Sequence, residues 1–390
     1  MTAYLSRRQE QLLAAVAAVV VANAYYIHPI IGEVADHFGV SHARIGLVPA
    51  LNQLALALGI FLLLPLGDRF SNRRLAILFV SGQTLAMLLM TLAGSFLPFV
   101  AGSTLLGFFT ITPYLLPAYA SKRVAPERLG QVTALIAAGA ILGILVARVG
   151  AGVVAEHFGW RTVYWIATSL MLLVTLFLPR MMEPGERDAA AHHSYPALLL
   201  SVFPMVREHR EILLAGVIQA LNFGQFIALW LALSLYLTSP SMGYGTDTVG
   251  YLAGIAAVSI ISTPRLGIWA DRIGPRKARA IFALIQLLGI SLFWPLGGSL
   301  ATLLVPLFIA NLVGPGIDVT SRMTFLTLRP ELRTRLTTIY VVLMFVGGGI
   351  GSFAGTAAFD AFGWGGTCIV LAGMSLTLSL LATFGRKFGE

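Results

Sequence analysis

Long apolar runs alternate with short polar breaks along the whole of this chain. Each run has about 20 residues, the length that an α-helix needs to cross about 30 Å of hydrocarbon. The runs are continuously apolar, whereas the strands of a membrane β-barrel alternate residue by residue. We therefore predict twelve membrane-spanning helices, at residues 12–32, 45–66, 75–95, 97–118, 131–155, 161–180, 212–238, 248–269, 278–297, 300–321, 335–358 and 366–385.

Composition and charge agree with this interpretation. Of the 390 residues, 57% are hydrophobic and 11% are charged, whereas soluble domains carry about 25% charged residues. The net charge of +9 is spread over the short breaks and does not indicate nucleic-acid binding. With the N-terminus in the cytoplasm, 22 of the 26 Lys and Arg residues fall in cytoplasmic segments, as the positive-inside rule requires. We expect a multi-pass inner-membrane protein with both termini in the cytoplasm.

The chain is duplicated. A charged phrase occurs at residues 67–74 (GDRFSNRR) and again at 270–277 (ADRIGPRK), so that Asp68 and Asp271 are 203 positions apart. Charge this dense does not lie in hydrocarbon, so each copy marks a turn at a membrane surface. Further matches at an offset of 204 join Pro126-Glu127 to Pro330-Glu331, 158–160 to 362–364, and Gly143, Ala147 and Ala151 to Gly347, Gly351 and Gly355. The small residues at every fourth position predict a smooth helix face for close packing.

The duplication predicts two six-helix domains, at 1–180 and 212–390, joined by a cytoplasmic linker at 181–211. Within the linker, the apolar segment 198–206 suits a short helix on the inner membrane face. His192 and His193 have no third ligand nearby, so we expect neither a metal site nor another cofactor.

These features together resemble the major facilitator superfamily of transporters, over essentially the whole chain. The second charged phrase fits that family's loop signature, while in the first Leu64 and Ser71 stand where Gly is usual. The resemblance implies an all-α membrane protein in which two pseudo-symmetric six-helix bundles rock about a central site. It also implies that both loops hold the cytoplasmic side closed when the carrier faces outward. The gating residues would be Asp68, Arg69, Arg73, Asp271, Arg272 and Arg276.

The predicted fifth helix resembles one branch of the family, the bacterial drug:proton antiporters and related sugar-efflux carriers. Residues 139–145 match the glycine-rich motif of the antiporters. The motif's Pro is absent further along, where Arg148 intrudes, and Ser103 replaces an arginine usual in the fourth helix. This resemblance implies export of a small organic molecule from a bacterial cell in exchange for protons.

Arg148 is the sharpest candidate for a functional residue. It lies about 25 Å into the predicted fifth helix, and His28 lies at a matching depth of about 24 Å in the first. An arginine at such a depth is costly unless it faces a cavity or a partner. It would bind an anionic substrate group, or pair with Glu33 or Asp36 to close the outer gate. The alternative is an arginine that reaches to the outer interface.

Polar and aromatic groups gather near the middle of the predicted first and seventh helices, where the family binds its substrates. Each amide has a second interpretation, as a hydrogen bond that joins helices. The aromatic residues have the alternative of simple packing. The candidates for substrate binding, besides Arg148, are Asn23, Tyr25, Tyr26, His28, Tyr114, Gln219, Asn222, Gln225, Trp230 and Tyr251.

Protons are the expected coupling ion, and His28, Glu33 and Asp36 are the candidates to carry them. Among the side chains expected in the middle of the membrane, His28 is the one whose unperturbed pKa lies near neutral pH. Asp318 and Arg322 lie one helical turn apart near a cytoplasmic end, where they would form a local ion pair or an inner-gate contact.

Enzyme functions find no support in the sequence. There is no His-Glu-x-x-His motif or phosphate-binding loop, and the glycines at 347–351 lie inside a helix rather than after a strand. We favour a proton-coupled exporter of a small organic molecule, and the alternative is a proton-coupled importer of a small, anionic metabolite. We do not favour a third function, a sensor built on this fold, because it would need large soluble appendages for signalling. The expected partners are the substrate, protons and the lipid bilayer, with the protein as a monomer.

Overall fold

The computed structural model describes residues 5–183, 195, 199, 204, 210–326 and 333–385. These residues fold into helices joined by short turns, without a strand among them. Most of the predicted linker, including the predicted short helix at 198–206, lies outside the described residues.

The N-terminal half, residues 5–183, contains nine α-helices and one 3₁₀ helix. Their bounds are Arg7–Ala22 (α1), Ile27–Phe38 (α2), His42–Ile45 (α3), Leu47–Leu63 (α4), the 3₁₀ helix Leu64–Asp68, Asn72–Leu92 (α5), Phe96–Phe109 (α6), Thr112–Ser121 (α7), Pro126–Phe158 (α8) and Trp160–Met181 (α9).

The C-terminal half comprises the described residues from 210 to 385. Its elements are Arg210–Leu237 (α10), Thr246–Ala253 (α11), the 3₁₀ helix Gly254–Ala257, Val258–Ile273 (α12), Pro275–Ser291 (α13), Leu300–Leu326 (α14) and Arg333–Phe384 (α15). Within α15, Gly363 has non-helical backbone angles (φ 62°, ψ −156°), which divide it into two helices.

Ten helical stretches in the described part of the chain are long and apolar enough to cross a membrane. α13 falls short of this length at 17 residues, and the last stretch, Arg335–Phe384, contains the break at Gly363. A helical membrane protein is therefore confirmed, while the count of twelve stays a prediction.

The first predicted helix is not continuous. α1 ends at Ala22, residues 23–26 form a turn, and α2 begins at Ile27. Pro29 explains the break, because its ring clashes with the carbonyl four residues earlier, at Tyr25. In the same way, α6 ends at Phe109, four residues before Pro113. Backbone that leaves the helix in mid-membrane must be buried in protein or line a cavity.

The predicted duplication is visible in the packing. α8 passes so close to α1 that a β-carbon on Gly139 or Gly143 would collide with the backbone of Ala14 or Ala18. In the C-terminal half, the same close approach places Gly347 against the backbone of Ala220. The predicted smooth face on these helices is confirmed. Because Gly143 and Gly347 are equivalent in the repeat, their contacts make Ala18 equivalent to Ala220, at an offset of 202.

The two charged turns start their helices differently. Gly274 precedes α13 with a positive φ of 90°, a conformation that an L side chain rarely adopts. Ser71, at the corresponding place before α5, has φ −63°, and its hydroxyl accepts a hydrogen bond from the Arg74 amide. A side-chain cap thus replaces the glycine turn, which explains the departure from the loop signature.

The halves are in close contact at one end of the bundle, which we call the outer end after the predicted topology. There α2, α3, α4 and α8 pack against α10, α11 and α15. The Ser234 hydroxyl donates to the Pro29 carbonyl at 2.9 Å, and the Ser352 hydroxyl donates to the Gly46 carbonyl at 3.2 Å. The structure is therefore closed at its outer end.

Candidate functional site

Arg148 lies in α8 at the interface between the halves and is only 2% exposed. Its guanidinium Nη2 is 3.1 Å from Nδ1 of His28, which is 1% exposed. The matching depths predicted for these two residues are thus confirmed by a direct contact. Burial this complete excludes the alternative in which Arg148 reaches to the outer interface.

The hydrogen bond fixes the tautomer of His28. A guanidinium can only donate, so Nδ1 must accept and the ring proton lies on Nε2. Nε2 is itself buried and has no hydrogen-bond partner among the described residues. Arg148 therefore sits beside an imidazole whose free N–H is turned away from it.

Three aromatic rings surround the Arg148 guanidinium. Its central carbon lies 4.7 Å from the ring centres of Phe226 and Trp230 and 5.3 Å from that of Tyr25. Tyr25 comes from the turn between α1 and α2, while Phe226 and Trp230 lie one helical turn apart in α10. Cation–π attraction stabilises a cation in such a place by roughly 2 kcal/mol when it is desolvated. We call Tyr25, His28, Arg148, Phe226 and Trp230 the Arg148 cluster.

The carboxylates expected to pair with Arg148 lie elsewhere. Glu33 accepts a hydrogen bond from the Trp160 backbone amide at 3.4 Å, and Asp36 is exposed near the end of α2. No carboxylate of the described residues lies within 4 Å of the Arg148 nitrogens. The expected outer-gate pair with Glu33 or Asp36 is thus absent, because Arg148 turns toward α10 instead.

The amides of α10 divide into two kinds. Asn222 donates to Gln219 and to the Gly314 carbonyl, both at 3.1 Å, and accepts from Gln286 at 3.0 Å. These bonds join α10 to α13 and α14, as the packing interpretation expects. Gln225 is buried, and its Oε1 has no partner among the described residues.

Asn23 lies in the turn between α1 and α2 and is buried, with both side-chain polar atoms unpartnered in the described part of the chain. The offset of 202 equates it with Gln225 rather than with Asn222. The same offset equates His28 with Trp230. The two halves thus contribute corresponding positions to the Arg148 cluster.

A row of aromatic side chains leads away from the cluster. Phe226 stacks on Phe223 with ring centres 6.0 Å apart, and Phe223 meets Phe345 of α15 at 5.6 Å. Phe345 in turn contacts Tyr114 of α7 at 6.4 Å, which carries the row across to the N-terminal half. Phe223, Phe226 and Tyr114 are each partly exposed. The row therefore borders space between the halves.

Two other predicted site residues lie outside the cluster's contacts. Tyr26 is half-buried in the turn that holds Tyr25. Tyr251 in α11 is 59% exposed, and neither the hydrogen bonds nor the ring contacts of the Arg148 cluster reach it.

The outer closure rests on residues that the sequence interpretation missed. Glu156, at the end of α8, accepts a hydrogen bond from the Thr246 amide that begins α11, at 2.8 Å. Asp360 in α15 accepts from the His42 amide that begins α3, at 3.0 Å. Both pairs join the two halves, and we call them the outer seams. The sequence did contain a signal for these residues, because the repeat offset of 204 relates Glu156 to Asp360 and His42 to Thr246.

A sequence model of the Major Facilitator Superfamily matches residues 13–327 and 215–388. The chain belongs to this superfamily. It is 30% identical over 377 residues to the uncharacterized transporter YgaY of Escherichia coli O157:H7, covering 97% of this chain and 95% of the relative. It is also 25% identical over 241 residues to the multidrug resistance protein MdtG of Salmonella choleraesuis, covering 57% of this chain and 55% of MdtG.

Solved structures show the same fold. The nucleoside transporter NupG superimposes with a TM-score of 0.76 at 13% identity, covering 96% of this chain and 98% of that one. A bacterial homolog of the human lysosomal transporter Spinster, inward-facing and occupied, gives 0.78 at 16% identity, covering 98% and 96%. The chain is thus a multi-span membrane transporter of small molecules and not an enzyme.

In this major facilitator the predicted gating residues lie away from the outer seams. Asp271 and Arg272 are exposed, and Arg276 pairs with Glu211 of its own half at 3.1 Å. Arg69 is exposed, Arg73 is half-buried, and the side chain of Asp68 lies outside the described atoms. No ion pair joins Asp271 to another described residue.

Asp318 and Arg322 form the local ion pair that their spacing predicts, at 3.0 Å. The Tyr340 hydroxyl of α15 donates to Asp318 at 2.7 Å, and Arg322 lies 4.8 Å from the centre of the Tyr340 ring. This network ties α14 to α15 within the C-terminal half of the major facilitator.

Proposed function

We propose that the chain exports a small organic molecule across the bacterial inner membrane by alternating access and exchanges it for protons. The observation that carries this proposal is the Arg148 cluster, a buried and polar centre between halves whose outer end is closed. A buried charge inside a membrane protein marks a substrate or ion pathway by default. The name of MdtG, a multidrug resistance protein, supports the outward direction.

The geometry suggests how the cycle would run. With the outer seams closed, the substrate enters from the cytoplasmic side and reaches the Arg148 cluster along the aromatic row. Separation of Glu156 from Thr246 and of Asp360 from His42 then opens the outer end. This cycle places both termini in the cytoplasm and treats residues 1–180 and 212–390 as the two moving domains of a monomer.

Glu33 is the residue we assign to the exchanged proton. It is half-buried in α2 next to the outer end, and its Oε2 is buried without a partner among the described residues. His28 is less suited, because protonation of Nδ1 would break its bond to Arg148. Asp36 is exposed and lacks the burial that would couple a proton to the position of the halves.

Import of a small anion together with protons is the second candidate. It is favoured by one observation, that Arg148 lies without a carboxylate partner among the described residues. The Arg148 cluster would then bind the anion from outside.

Inverted membrane vesicles separate the two directions. With an acidic lumen, a proton-exchanging exporter takes substrate up into the vesicles and releases protons, which a pH-sensitive dye in the lumen reports. A proton-coupled importer instead carries substrate out of preloaded vesicles as the protons leave. Acid-driven uptake is expected for this protein and should vanish in Glu33→Gln. Efflux from preloaded vesicles, without uptake, would contradict the proposed direction.

A further inference from the structure

Arg148 presents an uncompensated charge. Removal of a guanidinium from water costs several kcal/mol, and in proteins a partner of opposite charge usually offsets this cost. Here the neighbours are one imidazole and three aromatic rings, with no carboxylate within 4 Å among the described residues. The aromatic rings offset only part of the cost. The described neighbours of Arg148 therefore supply no negative charge to balance its positive one.

Hydrogen-bond donors in the cluster lack acceptors. Nε of Arg148, Nε2 of His28 and Nε1 of Trp230 are all buried without partners in the described part of the chain. All three carry a proton, since His28 Nδ1 accepts from Arg148. A carboxylate has two oxygens with about four acceptor positions, so it can accept from both Arg148 and Trp230. An ammonium group would bring further donors and a like charge.

Aromatic rings line one side of the space beside the cluster. Phe226 and Phe223 are partly exposed along α10, and Phe345 and Tyr114 continue the row between the halves. These rings offer faces and edges for apolar contact, and only the Tyr114 hydroxyl is polar. A sugar would leave most of its hydroxyl groups unpaired there, whereas a ring or a short alkyl chain would not.

We propose that the substrate is a small organic acid with an apolar body, whose carboxylate binds Arg148 and whose body lies along the aromatic row. Trp230 donates to the same carboxylate. The inference rests on the proposed function in taking this cluster as the transport site. It does not depend on the direction of transport.

Binding to the purified, full-length protein tests the inference, with benzoate, phenylacetate and hexanoate as probes. Calorimetry and thermal unfolding should both show binding of at least one of these acids. The matched neutral and cationic compounds, benzamide and benzylamine, should bind at least about 30-fold more weakly, as expected when a buried charge loses its partner. Equal binding of benzamide, or no binding of any acid, would overturn the proposal.

Variants locate the site. Arg148→Gln should weaken acid binding by at least about 30-fold, while Arg148→Lys keeps the charge and should retain part of the affinity. Trp230→Phe removes one N–H from a charged acceptor and should weaken binding by roughly 10-fold. The control is Arg265→Gln, since Arg265 is exposed and donates to a carbonyl of its own helix at 3.2 Å. Unchanged acid affinity in both Arg148→Gln and Trp230→Phe would refute the site.

Two measurements keep this inference apart from the proposed function. If benzoate binds to Arg148 but acid-lumen vesicles do not take it up, the substrate class stands and export fails. If the vesicles take up an amphiphilic cation and the purified protein binds no acid, export stands and the substrate class fails. Should Arg148→Gln not fold, the comparison of benzoate with benzamide and the Trp230→Phe variant still decide the matter.

Discussion

Glu156 and Asp360 stand 204 positions apart, and each accepts a hydrogen bond from a backbone amide of the opposite half. The donors, Thr246 and His42, are also 204 positions apart, and each begins a helix. A carboxylate at a helix N-terminus is stabilised by the unpaired amides and by the helix dipole. The outer closure is thus made of one interaction used twice.

Removal of either carboxylate should favour an open outer end. Glu156→Ala or Asp360→Ala deletes a capping interaction worth about 1 kcal/mol, which shifts the equilibrium about fivefold. The measurement is labelling of Ser234→Cys by an impermeant maleimide from outside, in a Cys368→Ser background. Ser234 is buried where α10 meets α2, so labelling reports opening. The exposed Glu127→Ala is the control, and unchanged labelling in both seam variants would contradict the role of the seams.

A side chain at Gly152 should keep the outer end from closing. A β-carbon there would lie 3.0 Å from the Gly250 Cα and closer still to the Thr246 carbonyl. Gly152→Val should therefore abolish transport while raising labelling of Ser234→Cys. Gly150→Val is a matched control on the same helix, because a β-carbon at Gly150 meets nothing within 4 Å. If both variants transport normally, close contact of α8 with α11 is not required.

Asn222 should matter for stability more than for binding. Asn222→Ala leaves the Gln286 amide and the Gly314 carbonyl without their partner, at a cost of about 1–3 kcal/mol each when they stay unpaired. We expect a lower unfolding temperature and an unchanged affinity for the substrate. Thr377→Val, which changes an exposed hydroxyl bonded to its own helix, is the control. A selective loss of affinity without a change in stability would place Asn222 in the binding site instead.

Neutralisation of the charged turns should act in the opposite sense to the seam variants. The resemblance to the family implies that Asp68 and Asp271 close the cytoplasmic side in the outward-facing state, and in the outer-closed structure Asp271 forms no ion pair with another described residue. Asp68→Asn and Asp271→Asn should each lower labelling of Ser234→Cys from outside. Glu127→Gln again serves as the control. Unchanged labelling in both variants would reduce the charged phrase to a marker of topology.

Much of the fold followed from patterns that are local or periodic. Apolar length predicts the spans, and small residues at every fourth position predict the smooth face at Gly347, which the structure packs against Ala220. The contact of Arg148 with His28 could also be anticipated, since depth in a membrane is set by residue count along a helix.

Features that depend on helix rotation could not be predicted in this way. Depth does not say which face of α8 bears Arg148, so Glu33 and Asp36 were expected as its partners rather than the rings of α10. The break at residues 23–26 has a local cause in Pro29. The register between α1 and α10 is set earlier, where Ala18 and Ala220 contact the equivalent glycines, and this register makes Asn23 correspond to Gln225, although Asn222 lies at a similar distance along its helix.

The paired seams also govern the shape of the opening. Since Glu156–Thr246 and Asp360–His42 are related by the repeat, they lie on opposite sides of the pseudo-twofold axis between the halves. We therefore expect a rotation that separates one pair to separate the other in the same movement. The aperture would then widen symmetrically about this axis, rather than as a cleft at one edge facing lipid.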